Sequence, residues 1–160
     1  MFPFLKKNKT KELKAFLSGK VLPITESEDE VFSSKSMGDG ICIIPTDNTV
    51  LAPYNAEVTL VIKDSNHALA LKFENNMEAI IHIGVDTVNL NGDGFECFVN
   101  IGDKVKQGEP LISFDAKKIK DAGYSTTSML VIVKEGNSKN ISFKLGFDAK
   151  AGEDTIMSYE

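Results

Sequence analysis

The chain has 160 residues, of which 42% are hydrophobic and 26% are charged, a composition typical of one globular domain and unlike that of disordered, collagen-like or disulfide-dense chains. Its formal net charge of −5 at pH 7 argues against general nucleic-acid binding, which depends on a basic surface. No apolar run approaches the roughly 18 residues that a membrane-spanning helix needs, and the first residues lack the apolar stretch of a secretory signal, so we expect a cytoplasmic protein.

The first 20 residues differ in character from the rest of the chain. They carry six of the 18 basic residues, interleaved with aromatic and aliphatic side chains such as Phe4, Leu13 and Phe16. This pattern predicts a basic segment over residues 1–20, flexible or folded as an amphipathic helix, ahead of a domain over residues 21–160. One interpretation is peripheral contact with an anionic membrane, where cations and aromatic rings suit the lipid interface. The other, which the terminal position favours, is a loosely ordered end that folds back on the domain.

From about Val31 onward, short apolar runs alternate with turn-forming residues. The runs are rich in Ile, Val and Phe, and Asp-Gly, Asn-Gly and Pro clusters separate them, which favours strands over helices. The predicted strands are 41–44, 58–62, 68–73, 79–85, 95–99, 111–114, 129–133 and 141–145. Residues 115–122 are expected to form one short helical segment that ends at Gly123. The pattern therefore predicts an all-β sandwich or barrel-like single domain with short helical turns.

The chain has two cysteines, Cys42 and Cys97. They do not form a C-x-x-C pattern, and no export signal accompanies them. We therefore expect both thiols to be reduced and packed rather than joined in a disulfide.

The chain also has only two histidines, His67 and His82. In the predicted strand 79–85, alternation places His82 on the face of Ile80 and opposite to core residues such as Ile81. His67 follows a polar turn and reaches the same face if its strand is a neighbour. A lone buried histidine is more often a structural residue than a reactive one. Two adjacent imidazoles, however, suit phosphoryl transfer, because one neutral nitrogen can attack phosphorus while the other ring donates a hydrogen bond to the phosphoryl oxygens.

Residues 82–95, with the sequence HIGVDTVNLNGDGF, resemble the signature of the glucose-type enzyme IIA component of the bacterial phosphoenolpyruvate-dependent sugar phosphotransferase system. Further matching segments lie at 38–41 (GDGI), 51–53 (LAP), 66–68 (NHA) and 102–108 (GxxVxxG). His82 follows His67 by 15 residues, which is the spacing of that family. The resemblance covers about residues 22–160.

The resemblance implies an antiparallel β-sandwich, the class that the strand pattern predicts independently. It also implies a cytoplasmic phosphocarrier. His82 would accept a phosphoryl group on Nε2 from the histidine-containing phosphocarrier protein. It would then pass the group to a cysteine of the IIB domain of a glucose-type sugar permease, which supports coupled sugar uptake and phosphorylation. Neither a cofactor nor a metal is implied.

The resemblance assigns roles to further residues near His82. His67 would stabilise the phosphoryl group, Ser65 stands where the family usually has a threonine hydroxyl in a hydrogen-bond relay, and Asp86 flanks the site. Backbone carbonyls near Gly84 and Gly152 would hold the Nδ1 protons of the two rings, which leaves the Nε2 lone pair free for attack.

Two other functions remain as alternatives. Residues 101–111 resemble one half of a biotinyl or lipoyl carrier domain, but the Met-Lys-Met or Asp-Lys-Ala setting of a carrier lysine does not occur. A zinc hydrolase is the second alternative, because His67, His82 and Asp86 could supply the three protein ligands that catalytic zinc usually needs. The H-x-H pair of β-sheet zinc peptidases is absent from the sequence, so an enzymatic zinc site is the weaker hypothesis.

Overall fold

The computed structural model describes residues 10–160, which form fourteen strands, two short α-helices and two 3₁₀ turns. The strands are β1 (Lys11–Lys14), β2 (Gly19–Pro23), β3 (Gly40–Pro45), β4 (Thr49–Leu51), β5 (Ala56–Val61), β6 (Ala68–Lys72), β7 (Glu78–His82), β8 (Phe95–Cys97), β9 (Lys104–Val105), β10 (Pro110–Phe114), β11 (Ser128–Lys134), β12 (Ser142–Phe143), β13 (Phe147–Ala149) and β14 (Thr155–Tyr159). The helices are α1 (Glu30–Ser33) and α2 (Ala116–Asp121), and the 3₁₀ turns are Ile24–Glu26 and Thr87–Leu90. Within this part of the chain, no helix has the length and apolar character to cross a bilayer.

Antiparallel pairing joins the strands into three sheets. The large sheet has the order β13-β2-β3-β11-β7-β6-β5-β9, and the two small sheets have the orders β1-β14-β12 and β4-β10-β8. One main core contains buried side chains from all three sheets. They include Leu13, Val50, Ile81, Leu111, Leu130 and Ile156. The core thus lies between the large sheet and the two small ones, which confirms the antiparallel β-sandwich.

The apolar runs of the sequence correspond to strands of the structure, and the segment 115–122 contains α2. Asp115 begins that helix by accepting a hydrogen bond from the Lys118 N–H at 3.2 Å. Several predicted strands end earlier than expected, and the difference matters most for β7, which ends at His82. Gly84 adopts a φ of +73°, a left-handed conformation that turns the chain out of the extended direction.

The N-terminal segment differs from the expectation over its described part. β1 pairs with β14 and β2 pairs with β3, and Leu13, Phe16 and Leu17 are fully buried in the main core. The prediction of a flexible or amphipathic helical segment is therefore wrong from residue 11 to residue 20, because the apolar side chains there pack between sheets. Residues 1–9 lie outside the described residues, so the hypothesis of membrane contact stays a prediction.

The outer face of the large sheet carries a second, smaller apolar cluster. Its buried members are Ile24, Phe32, Cys42, Met129 and Val131. Met129 pairs with Cys42 on one side and with His82 on the other, so the cluster and His82 share this face. Both cysteines of the chain are free thiols, and burial raises the pKa of Cys42 to about 11.

Replacing Phe16 by alanine tests whether the N-terminal residues belong to the core. Phe16 has no exposed surface, so Phe16→Ala should lower the free energy of unfolding by about 3–5 kcal/mol through lost burial and a residual cavity. Urea denaturation measures the change. The exposed Lys20 supplies the control, because Lys20→Ala should stay within about 0.5 kcal/mol of the wild type. Equal effects of the two substitutions would show that Phe16 is not packed in the core.

Candidate functional site

The structure brings the two histidine rings together on the outer face of the large sheet. Ala68 of β6 pairs with His82 of β7, and the His67 carbonyl accepts a hydrogen bond from the Ile83 N–H at 2.7 Å. The two ring centroids are 4.7 Å apart, and the ring planes are inclined at 88°. Neighbouring strands therefore hold the imidazoles edge to face, within reach of one small group.

His82 is the more accessible of the two rings, since it is only partly buried. Its Nδ1 lies 2.9 Å from the Gly84 carbonyl oxygen. A carbonyl oxygen can only accept a hydrogen bond, so Nδ1 carries the proton and donates it. In the neutral ring the lone pair is then on Nε2. Gly84 thus occupies the position that the family resemblance implies for it.

His67 is buried, with 6% of its surface exposed. Its Nδ1 lies 2.7 Å from the hydroxyl oxygen of Ser65, which is itself buried. Ser65 lies in a tight turn, which the hydrogen bond from the Asn66 N–H to the Ile62 carbonyl closes at 2.9 Å. Asp64 and Asn66 both have left-handed φ angles in this turn, of 71° and 52°. This turn places the Ser65 hydroxyl against Nδ1 of His67. A hydroxyl can either donate or accept a hydrogen bond there.

The expectation that a carbonyl near Gly152 holds the Nδ1 of His67 is wrong. The Gly152 carbonyl accepts a hydrogen bond from the Gln107 side chain at 3.2 Å, and the Gly152 N–H donates to the Ala15 carbonyl at 2.9 Å. Gly152 therefore belongs to a different loop contact, and the Ser65 hydroxyl occupies the position beside the ring.

Both imidazoles are held in the neutral form. Burial, together with the neighbouring His82 ring, lowers the pKa of His67 to about 4. Burial also lowers the pKa of His82, and three groups oppose this change by raising it: the Gly84 carbonyl and the carboxylates of Asp29 and Asp86. A neutral ring with a free nitrogen is the nucleophilic state of histidine, so the site favours that state at pH 7.

Helix α1 contributes to the site, although the sequence pattern does not predict it. The Phe32 ring packs against His82, with 5.0 Å between the ring centroids and a tilt of 55°. Asp29 begins the helix by accepting a hydrogen bond from the Val31 N–H at 3.0 Å. An aspartate ahead of an apolar pair is a helix-start signal, but a helix of only four residues shows no periodicity that would make the signal visible.

An apolar depression adjoins the two rings. Its apolar lining includes Val31, Phe32, Met37, Leu60, Ile62 and Ile80. Val31 and Leu60, both in this lining, are 54% and 41% exposed, so the depression presents aliphatic surface to solvent. The His82 ring thus lies beside an apolar surface that a partner can cover.

Asp86 lies at the edge of the site. It is exposed, has a left-handed φ of 61° and precedes the 3₁₀ turn Thr87–Leu90. Across residues 10–160, no three His, Cys, Asp or Glu side chains come close enough to form a metal-binding group. His67, His82 and Asp86 therefore do not assemble into the three-ligand set that the zinc-hydrolase hypothesis requires.

Comparison with known proteins agrees with this geometry. The family model described as phosphoenolpyruvate-dependent sugar phosphotransferase system, EIIA 1, matches residues 11–138. Among solved structures, the chain is similar to the glucose permease IIA from Mycoplasma capricolum, with a TM-score of 0.86 and 31% sequence identity. That similarity covers 94% of this chain and 96% of the other. The family match begins at the first residue of β1.

The low pKa of His67 makes stability depend on pH. Between the usual histidine pKa of 6.5 and about 4, the unfolded chain binds a proton on His67 and the folded chain does not. Lowering the pH through this window therefore lowers the free energy of unfolding. We expect the wild type to lose more stability than His67→Gln between pH 7 and pH 4, as measured by urea denaturation.

A second measurement reads the pKa of His67 directly. NMR titration of the ring carbon-bound protons should give His67 a midpoint near pH 4. Parallel stability curves for the wild type and His67→Gln, together with a midpoint near 6.5, would contradict the burial argument.

Proposed function

Because the chain belongs to the EIIA 1 family of the phosphoenolpyruvate-dependent sugar phosphotransferase system, we propose that it is a cytoplasmic phosphocarrier whose phosphoryl group is carried on His82. The chain is a sugar phosphotransferase component by family, and the finer proposal concerns its partners and its residues. One observation carries it: an accessible ring with its Nδ1 proton fixed on the Gly84 carbonyl lies 4.7 Å, between centroids, from a second, buried ring.

The first step is acceptance of the phosphoryl group from the histidine-containing phosphocarrier protein. The lone pair on Nε2 of His82 attacks phosphorus, so a new N–P bond forms as the N–P bond of the donor histidine breaks. The electron pair of the broken bond returns to the donor's ring nitrogen. The His82 ring gains positive character as it attacks, and the Gly84 carbonyl stabilises that charge through the Nδ1–H. Catalysis consists of positioning and electrostatics, and no cofactor takes part.

His67 and Ser65 stabilise the group once it is attached. A phosphoryl group brings nearly two negative charges and oxygens that accept hydrogen bonds. In this proposal the Ser65 hydroxyl donates to Nδ1 of His67, so the proton of that neutral ring is on Nε2. The Nε2–H then donates to a phosphoryl oxygen. The low pKa of His67 supports a neutral donor rather than an imidazolium ion.

The second step passes the group to a cysteine in the IIB domain of a sugar permease. The thiolate attacks phosphorus, an S–P bond forms, and the electron pair of the N–P bond returns to Nε2 of His82. Donor and acceptor must reach the same nitrogen in turn, so each must bind briefly. The apolar depression beside Phe32 includes Asp29 in its lining, and the charge of Asp86 acts on the adjoining His82 ring. An apolar centre with charged groups around it suits such transient docking.

The position of segment 101–111 in the fold argues against a biotinyl or lipoyl carrier domain. The segment 101–111 that resembles half of a biotinyl or lipoyl domain forms β9 and the start of β10. Val105 and Leu111 from this segment are buried in the main core of the sandwich. The glycine and valine spacing is thus accounted for by a turn and two strands of the sandwich itself.

Phosphorylation in a reconstituted reaction tests the role of His82. We expect the wild type to acquire an acid-labile, base-stable phosphate when it is incubated with phosphoenolpyruvate, enzyme I and the phosphocarrier protein. His82→Gln should acquire none, because it removes the attacking nitrogen, whereas His67→Gln should still be labelled. Label that remains on His82→Gln would reject the assignment.

The role of His67 is tested by the onward step. His67→Ala removes the proposed donor to the phosphoryl oxygens, so transfer from phosphorylated protein to the IIB domain should slow by about 100-fold or more, as for loss of one oxyanion donor. Rapid-quench measurement of label on both proteins gives the rate. A wild-type rate in a variant with normal urea denaturation would remove His67 from the mechanism.

A further inference from the structure

The carbonyl that holds His82 is itself aimed by its neighbours. The Gly84 carbonyl and the Val85 N–H belong to one peptide unit, and in a trans peptide these two groups point in opposite directions. The Val85 N–H donates to the Ser125 carbonyl at 3.0 Å, while the Gly84 oxygen faces Nδ1 of His82 at 2.9 Å. Anchoring one end of the unit on Ser125 therefore aims the other end at the ring.

The preceding peptide unit is also held at both ends. The Ile83 carbonyl accepts a hydrogen bond from the Thr87 hydroxyl, and the Gly84 N–H donates to the Ser128 hydroxyl oxygen at 3.3 Å. The Ser128 side chain is fully buried, and its hydroxyl donates to the Thr126 carbonyl at 2.9 Å. Because that bond uses the only proton of the hydroxyl, its lone pairs are left to accept from Gly84.

Gly84 needs such anchors because its own conformation is permissive. It adopts a φ of +73°, and a Cβ at this position would lie 2.4 Å from the Thr87 methyl group and 2.9 Å from the Ser125 carbonyl oxygen. The space therefore admits only glycine. Glycine is also the residue with the weakest backbone preference of its own, so the direction of its carbonyl depends on the groups that hold it.

We propose that Ser128 is a positioning residue for His82: its hydroxyl fixes the Gly84 N–H, keeps the Gly84 carbonyl aimed at Nδ1, and thereby keeps the ring in the tautomer whose free nitrogen is Nε2. The consequence for phosphoryl acceptance rests on the proposed function. The effect on the tautomer does not, because it concerns the ring and the backbone alone. Ser128 acts through Gly84.

Removing the Ser128 hydroxyl should change the tautomer of His82. Ser128→Ala leaves the buried Gly84 N–H without an acceptor, so the glycine can reorient and its carbonyl holds Nδ1 less well. The fraction of neutral His82 with its proton on Nε2 should rise. Since one hydrogen bond is at issue, acceptance of the phosphoryl group should slow by about 3- to 10-fold.

Nitrogen-15 NMR of the full chain reads the tautomer directly. Long-range proton–nitrogen correlations of the His82 ring at pH 8 distinguish a proton on Nδ1 from one on Nε2. The control is Ser18→Ala, because the Ser18 hydroxyl accepts a backbone N–H from Ala151 at 2.9 Å, just before β2 and away from the histidines. Ser128→Thr keeps the hydroxyl and should restore the wild-type spectrum.

The outcomes are distinct. A tautomer shift in Ser128→Ala, absent in Ser18→Ala and in Ser128→Thr, supports the proposal. Unchanged correlations in Ser128→Ala, or an equal shift in Ser18→Ala, would overturn it. If the alanine variant does not fold, Ser128→Cys, whose sulfur is only a weak acceptor, should shift the tautomer in the same direction, and an unchanged spectrum rejects the proposal. A shifted tautomer in Ser128→Ala, when the wild type itself acquires no label, would retain this inference and reject the phosphocarrier function.

Discussion

The hydrogen bond from His82 Nδ1 to the Gly84 carbonyl is the interaction on which the site depends. A neutral imidazole has one proton and two nitrogens, and only the nitrogen without the proton can attack. The Gly84 carbonyl accepts a hydrogen bond from the Nδ1–H, with 2.9 Å between nitrogen and oxygen. This bond leaves Nε2 without a proton and also fixes the orientation of the ring. The left-handed turn at Gly84, the hydroxyl of Ser128 and the carbonyl of Ser125 all bear on this one oxygen.

His82 is accessible because the two faces of the large sheet carry different side chains. Along β7, Ile81 points into the main core, while Ile80 and His82 lie on the outer face. A slip of one residue in register would move His82 into the core. The burial of Ile81 against residues such as Leu130, with which it pairs, therefore holds the histidine at the surface. The stability of the core and the accessibility of His82 have the same physical origin.

Local pattern was sufficient to predict much of this arrangement, and long-range contacts account for the rest. Alternation in β7 placed His82 opposite Ile81, and proximity in sequence suggested His67 as its neighbour. The spacing of residues does not indicate that Ser65, rather than a carbonyl near Gly152, contacts Nδ1 of His67. This contact depends on how the turn before His67 folds. Phe32 was missed for a related reason: a helix of four residues has no period, and only the tertiary structure places its ring on His82.

The pairing of β1 with β14 has a consequence for how the domain can be joined to other chains. Lys11 lies opposite Tyr159 in this ladder, so the two ends of the sandwich leave it side by side. They leave from a small sheet, across the main core from the face that carries His67 and His82. Strand ends that lie side by side, on the opposite side of the core from the histidines, are the geometry that fusion and circular permutation favour.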